Sequence, residues 1–162
     1  MGWQDKLTNQ DAGQAGGVRM QYGALCWRTA TEGLEVLLIT SRDTGRWIIP
    51  KGWPMPGLSP EAAAAQEAWE EAGVAGTVNP VCLGRYGYQK ILAVSAQVPC
   101  AVAVYGLQVT DLADNFPEVA ERRRQWFASD AAALMVNEPD LGGLIAGFVP
   151  PASGRAAPIA GE

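Results

Sequence analysis

The stretch that decides the reading is GWPMPGLSPEAAAAQEAWEEAGV, running from Gly52 to Val74. The loop Lys51–Leu58, rich in Gly and Pro, leads into a segment with complete helix grammar. Ser59 is placed to cap the N-terminus, Pro60 suits the first helical position, and Glu61 sits in the first turn where the dipole favours an acid. Gly73 suits the left-handed residue that follows a helix. At about 100° per residue, Ala62, Ala65, Trp69 and Ala72 fall within an arc of roughly 80°. This predicts a small-residue face anchored by Trp69. Glu67, Glu70 and Glu71 cluster on the opposite side.

Three acids at i, i+3 and i+4 repel one another by a few tenths of a kcal/mol per pair in water. Crowding raises their pKa values unless a cation sits nearby. Alone, such a face is most often just a solvated surface. Beside a loop offering backbone carbonyls, the same acids form the oxygen-rich set that Mg²⁺ or Mn²⁺ prefers. A cation there would neutralise the cluster and could reach the phosphate oxygens of a substrate.

Working outward, Gln21–Arg28 and Leu34–Thr40 read as strands joined by the turn-like Thr29–Gly33. Arg46–Pro50 reads as a short extended segment. Thr77–Tyr86, Tyr88–Val94 and Ala101–Val109 read as further strands. Ser129–Val136, capped by Ser129 or Asp130, and Leu141–Phe148 read as helices. Strands, helix, strands and helices in that order predict an α+β fold in a single domain, with a mixed sheet sandwiched between helices. The domain is expected over 19–149, between a flexible arm at 1–18 and a disordered tail at 150–162 rich in Pro, Ala and Gly.

The whole chain narrows the chemistry further. Its 162 residues suit one domain, and 48% hydrophobic with 18% charged residues is globular rather than disordered composition. Twelve basic against seventeen acidic residues leave a net charge of −5, which disfavours duplex nucleic acid as a partner. A phosphorylated small molecule is compatible with that charge if a cation or a local basic patch offsets it. There is no histidine, so His-ligated zinc, Ser-His and Cys-His nucleophiles and imidazole bases are all excluded. Cys26, Cys82 and Cys100 form no Cys-x-x-Cys pair and read as three buried thiols in a reducing compartment. Met1–Met20 lacks the apolar core of a signal peptide, and no stretch has transmembrane length, so a cytoplasmic protein with no membrane partner is expected.

The segment Gly52–Val74 resembles the Nudix box, whose pattern is Gly-x5-Glu-x7-Arg-Glu-aliphatic-x-Glu-Glu-x-Gly-aliphatic. Gly52, Glu67, Glu70, Glu71, Gly73 and Val74 match, and Ala68 is a weak match at the aliphatic position. Leu58 stands where the family has Glu, and Gln66 where it has Arg. The flanks agree: Trp47-Ile-Ile-Pro-Lys-Gly52 and Arg122-Arg-Arg-Gln-Trp-Phe127 resemble the branch that cleaves diadenosine and diphosphoinositol polyphosphates.

The resemblance implies a pyrophosphohydrolase that uses Mg²⁺ or Mn²⁺. Carried onto this chain, Glu70 and Glu71 are metal ligands, Glu67 is a ligand or base, and the Gly52 carbonyl completes the shell. A later acid helps, either Glu118 in its Pro-Glu turn, which is preferred, or Glu121. Lys51, Arg46, Arg42 and Lys90 are candidates for holding substrate phosphates, and Trp47 or Tyr88 for stacking on a base. Losing an acid and a base together leaves the formal charge of the box unchanged. Packing of Leu58 and a hydrogen bond from Gln66 to Glu67 are expected to replace the lost pair. Two other readings stand beside the enzyme: a catalytically weak Nudix domain that senses or binds nucleotide, and removal of pyrophosphate from RNA 5′ ends.

Overall fold

A computed structural model describes residues 17–93 and 96–151. Met1–Gly16 of the expected arm and Ala152–Glu162 of the expected tail lie outside the described residues, as does Val94. The elements run β1 (Arg19–Ala30), β2 (Gly33–Thr40), β3 (Trp47–Ile48), β4 (Lys51–Gly52), α1 (Pro60–Ala72), β5 (Val74–Ala93), β6 (Ala96–Leu112), β7 (Arg124–Ala128), α2 (Ser129–Met135) and α3 (Pro139–Gly147).

The sheet is mixed. β1 runs parallel to β6, and the other pairings are antiparallel. Strands β1 and β2 pair from Cys26/Leu37 to Ala30/Gly33 and then part. Into the gap fits the segment 47–52. Ile39 of β2 pairs with Ile48 on one side and Arg124 on the other, while Tyr22 and Gly23 of β1 pair with Gly52 and Lys51. Buried Pro50 has no N–H to give, but its carbonyl accepts from Ala24 at 3.0 Å. This split sheet holds Lys51 and Gly52 rigidly at one end of β1, which positions everything that follows.

Side chains alternate across the pleat and build one core on each face. Ala24, Cys26, Leu37, Ile39, Ala103, Tyr105 and Leu107 pack with Ala64, Ala68 and Ala72 of α1. Leu25, Val36, Leu38, Val102 and Val104 pack on the other face with Ala132 of α2 and Leu141 and Ile145 of α3. The expected sheet between helices is therefore what the chain forms. Among the described residues, no helix is long and apolar enough to cross a membrane.

Several local expectations need correction. The two strands Thr77–Tyr86 and Tyr88–Val94 are one strand, β5. Gly87 does not break it because its pairing with Ala101 continues the ladder, and the irregularities fall elsewhere, between Ala75 and Gly84 and near Ile91. Lys51–Gly52 is a short strand rather than loop. Ser59 occupies the N-cap position of α1 without a side-chain capping bond. Ala128, not Ser129 or Asp130, caps α2, and Asp130 instead accepts from the N–H of Ala131 at 2.8 Å. Helix α3 begins two residues earlier than expected, with Pro139 in its first turn. Cys26 and Cys100 are buried, but Cys82 is exposed.

The largest correction concerns the face of α1. Its fully buried stripe is Ala64, Ala68 and Ala72, while Trp69 is 36% exposed. The expected face of Ala62, Ala65, Trp69 and Ala72 placed Trp69 inside as its anchor. The sheet instead takes the alanines, whose small side chains let the helix axis approach closely. Ala68→Leu should therefore destabilise the protein by about 1–3 kcal/mol through overpacking, read as a lower midpoint in urea. Trp69→Leu on the outer side should change it by less than about 1 kcal/mol.

Candidate active site

Close approach of α1 carries its acids over the end of the sheet. Glu71 is buried and Glu67 half-buried. Gly52 is buried directly beneath them, and a Cβ there would overlap the Glu67 carboxylate. The residue at 52 must therefore lack a side chain. Gly73 closes the helix at φ +69°, donating to the Trp69 carbonyl at 2.9 Å. The Ala72 carbonyl accepts from Arg124 Nη1 at 2.6 Å.

These acids form one end of a cleft of about 490 Å³. Lys51, Gly52, Glu67, Glu71, Glu118 and Arg122 line it, with Arg42, Arg46, Tyr88 and Lys90 on the surrounding walls. The carboxyl groups of Glu67 and Glu71 interact closely enough to share a proton in the absence of metal. Burial, then the charge of Glu71, pushes Glu67 up to about 9. Burial also raises Glu71, against the opposing pull of Arg122. Further contacts hold Glu71: the Lys51 N–H donates to it at 3.3 Å, and Arg122 Nη2 lies 3.8 Å away.

The expected site residues divide cleanly. Glu67, Glu71, Glu118, Gly52, Lys51, Arg42, Arg46 and Lys90 all face the cleft. Glu70 does not line it. Its carboxylate accepts from Gln66 at 2.9 Å on the outer side of α1, and its backbone carbonyl accepts from the Glu118 N–H at 2.9 Å. That second bond ties the Glu118 turn to the helix. Glu121 also lies off the cleft, paired with Arg42 at 2.9 Å. Gln66 was expected to reach Glu67 and reaches Glu70 instead, because Glu70 lies one turn along the same exposed face. Leu58, expected to pack, is 44% exposed and outside the buried core.

The basic residues differ in how committed they are. Arg42 is shared between Glu121 and, at 4.0 Å, Glu118. Arg46 Nη2 pairs with Glu138 at 2.8 Å, while its buried Nη1 has no hydrogen-bond partner among the described residues. Lys51 lies 4.7 Å above the Tyr88 ring, and burial pushes its ammonium down to about 8. Tyr88 is in turn fixed by donating to Gln21 Oε1 at 2.6 Å. Trp47 is not available for stacking on a base: it packs edge-on against Phe127 and beneath Arg123.

Sequence reasoning passed over Arg122. The Arg122-Arg-Arg triplet reads from sequence as part surface and part ion pairing, with no site role for Arg122, whose side chain is only 8% exposed and lies between Glu71 and Glu118. The only signal for this was an arginine four residues after Glu118. The donor set, carboxylates and backbone carbonyls without nitrogen or sulfur, fits a hard divalent cation. Among the described residues no three acids are already gathered around one point. The Glu67–Glu71 pair is the densest acidic grouping on the cleft lining.

A NUDIX domain model matches residues 19–148. The chain belongs to the Nudix family. It is 34% identical over 118 residues to human diphosphoinositol polyphosphate phosphohydrolase 3-alpha, covering 72% of this chain and 68% of that protein. To rat diphosphoinositol polyphosphate phosphohydrolase 2 it is 31% identical, covering 72% and 62%. Solved structures share the fold at lower identity. The C. elegans Ap4A hydrolase has a TM-score of 0.56 at 21% identity, over 80% of this chain and 94% of that one. The E. coli dihydroneopterin triphosphate pyrophosphohydrolase has 0.62 at 17%, over 80% and 94%. As a Nudix hydrolase with phosphohydrolase relatives, the chain is a pyrophosphohydrolase.

The shared proton has a measurable consequence. Without divalent cation, folded Glu67 keeps a proton up to about 9, while the unfolded side chain releases it near 4.5. The folded state thus binds more protons across that window, so stability falls as pH rises through it. Urea midpoints measured in EDTA should decline from pH 5 to pH 9, and Glu67→Gln should flatten the decline. A profile of Glu67→Gln identical to the wild type's would contradict the shared proton.

Proposed function

We propose that this chain uses Mg²⁺ or Mn²⁺ to hydrolyse a phosphoanhydride bond in a small polyphosphate, either nucleoside-diphosphate-linked or of the diphosphoinositol type. The observation that carries this is the Glu67–Glu71 carboxyl pair over Gly52, at one end of a cleft whose walls are basic. In a chain of net charge −5, Arg42, Arg46, Lys51 and Lys90 are gathered on that single cleft. A polyanion binding there meets local positive charge despite the acidic whole.

Glu71, Glu67 and the Gly52 carbonyl would hold the cation, with Glu118 facing it from the opposite turn. The cation supplies charge neutralisation at the phosphoryl group and a more acidic water. Arg46 and the Lys51 ammonium, both on the cleft lining, bind non-reacting phosphate oxygens. Lys51 held against Tyr88 orients the polyphosphate along the cleft. Among the described residues no ion pair reaches Glu67, and we assign it the proton released by the attacking water once a bound cation has displaced its own. For Glu70 to join the ligands, it has to leave Gln66.

The named relatives support both substrate types, since some act on diphosphoinositol polyphosphates and the C. elegans neighbour on Ap4A. The exposed side chain of Ile91 beside Tyr88 and Lys90 adds an apolar surface to the cleft wall, which favours a substrate carrying a base. A second reading, a nucleotide-binding domain of weak activity, draws on Gln66 at the box arginine position.

A panel of diadenosine polyphosphates, nucleoside triphosphates, sugar nucleotides and diphosphoinositols separates these. Hydrolysis that needs Mg²⁺ or Mn²⁺ is expected, stops in EDTA, and falls about 100-fold in Glu71→Gln. Ligand-induced thermal stabilisation with no product from any substrate would instead establish the binding domain.

A further inference from the structure

Position 66 holds Gln where the family box has Arg, and the structure shows what stands among the cleft carboxylates instead. Gln66 is exposed and turned toward Glu70, away from the cleft. The guanidinium comes from the other side, from Arg122 just before β7. Each of its nitrogens has a partner. Nε donates to Glu118 Oε1 at 2.8 Å, Nη1 to the Thr40 carbonyl at 3.1 Å, and Nη2 lies 3.8 Å from Glu71 Oε2. Thr40 is itself locked at the end of β2. Its N–H donates to the Arg123 carbonyl at 3.0 Å, and its hydroxyl accepts from the Arg123 N–H at 2.9 Å.

We propose that Arg122 is the positioning residue of this active site, setting the separation of Glu71 and Glu118 so that both face one cation. The inference rests on the hydrolytic reading of the cleft. A planar fork anchored on a strand-end carbonyl can fix two carboxylates from different elements, which a flexible ammonium cannot do. Arg122 is not a phosphate clamp. Its nitrogens are taken and its side chain is 8% exposed, against 56% for Arg42.

Charge and positioning predict opposite signs. A fixed cation beside carboxylates repels a divalent metal, so removing it for charge alone would tighten metal binding. Removing a residue that holds the ligands in place weakens it, typically by about 10–100-fold.

The test is Mn²⁺ binding to the full chain, measured by electron paramagnetic resonance, for wild type, Arg122→Ala, Arg122→Lys, Glu118→Gln and the Arg122→Ala/Glu118→Gln double variant. Arg122→Ala should weaken Mn²⁺ about tenfold or more, and the double variant should lose no more than the worse single one. Arg122→Lys keeps the buried charge should Arg122→Ala fail to fold, and it should lose affinity too. At saturating metal, kcat should fall about tenfold with KM changed less than about twofold. Unchanged or tighter Mn²⁺ binding, additive losses, or a rise in KM alone would each overturn the proposal. If the wild type binds Mn²⁺ but cleaves nothing, the hydrolytic reading fails while the metal measurement still decides the role of Arg122. A wild type that binds no Mn²⁺ overturns the proposal as well.

Discussion

Two carboxylates one helical turn apart, one buried and one half-buried against a glycine, impose the constraint that organises this molecule. Burying a carboxylate costs several kcal/mol unless hydrogen bonds or opposite charge offset it. Here the offsets are specific: a shared proton between Glu67 and Glu71, the Lys51 N–H, and the guanidinium of Arg122. None is complete compensation, which is why Glu67 is pushed so far from its ordinary range. On the proposed reading, a divalent cation would offset what those contacts leave uncompensated.

The fold serves that constraint at each level. The alanine stripe of α1 lowers the helix onto the sheet. The parting of β1 and β2 admits the segment 47–52 and sets Gly52 under the acids. The bond from the Glu118 N–H to the Glu70 carbonyl then brings the later turn, with Glu118 and Arg122, onto the same helix. Three parts of the chain, the segment 47–52, α1 and the later turn, therefore meet at one cleft. Each is fixed by backbone hydrogen bonds rather than by exposed side chains, as a site that must hold its geometry requires.

The helix was legible in the sequence because its signals are local: Pro60 at the start, Gly73 at the end, and the acids at i, i+3 and i+4 between them. The layered α+β architecture was legible from the order of elements, and Lys51 from its place beside the loop; Arg42, Arg46 and Lys90, chosen for charge, line the same cleft. The orientation of α1 was not legible, since Ala64, Ala68 and Ala72 win the core through closeness of approach, a property of the sheet opposite. Continuity of β5 through Gly87 depended on pairing with β6 that a single strand cannot show. Glu70 and Glu71 are indistinguishable as letters. Only the tertiary structure turns one into the cleft and leaves the other with Gln66. Arg122 was hidden for the same reason, because its partners lie on α1 and β2.

Diffraction from crystals soaked in Mn²⁺, with the metal located by its anomalous signal, tests the central claim most directly. The account predicts density between the Glu67 and Glu71 carboxylates and the Gly52 carbonyl, with Arg122 still bridging Glu71 and Glu118. Metal bound only at the outer Glu70 face, or none at concentrations that saturate activity, would contradict it.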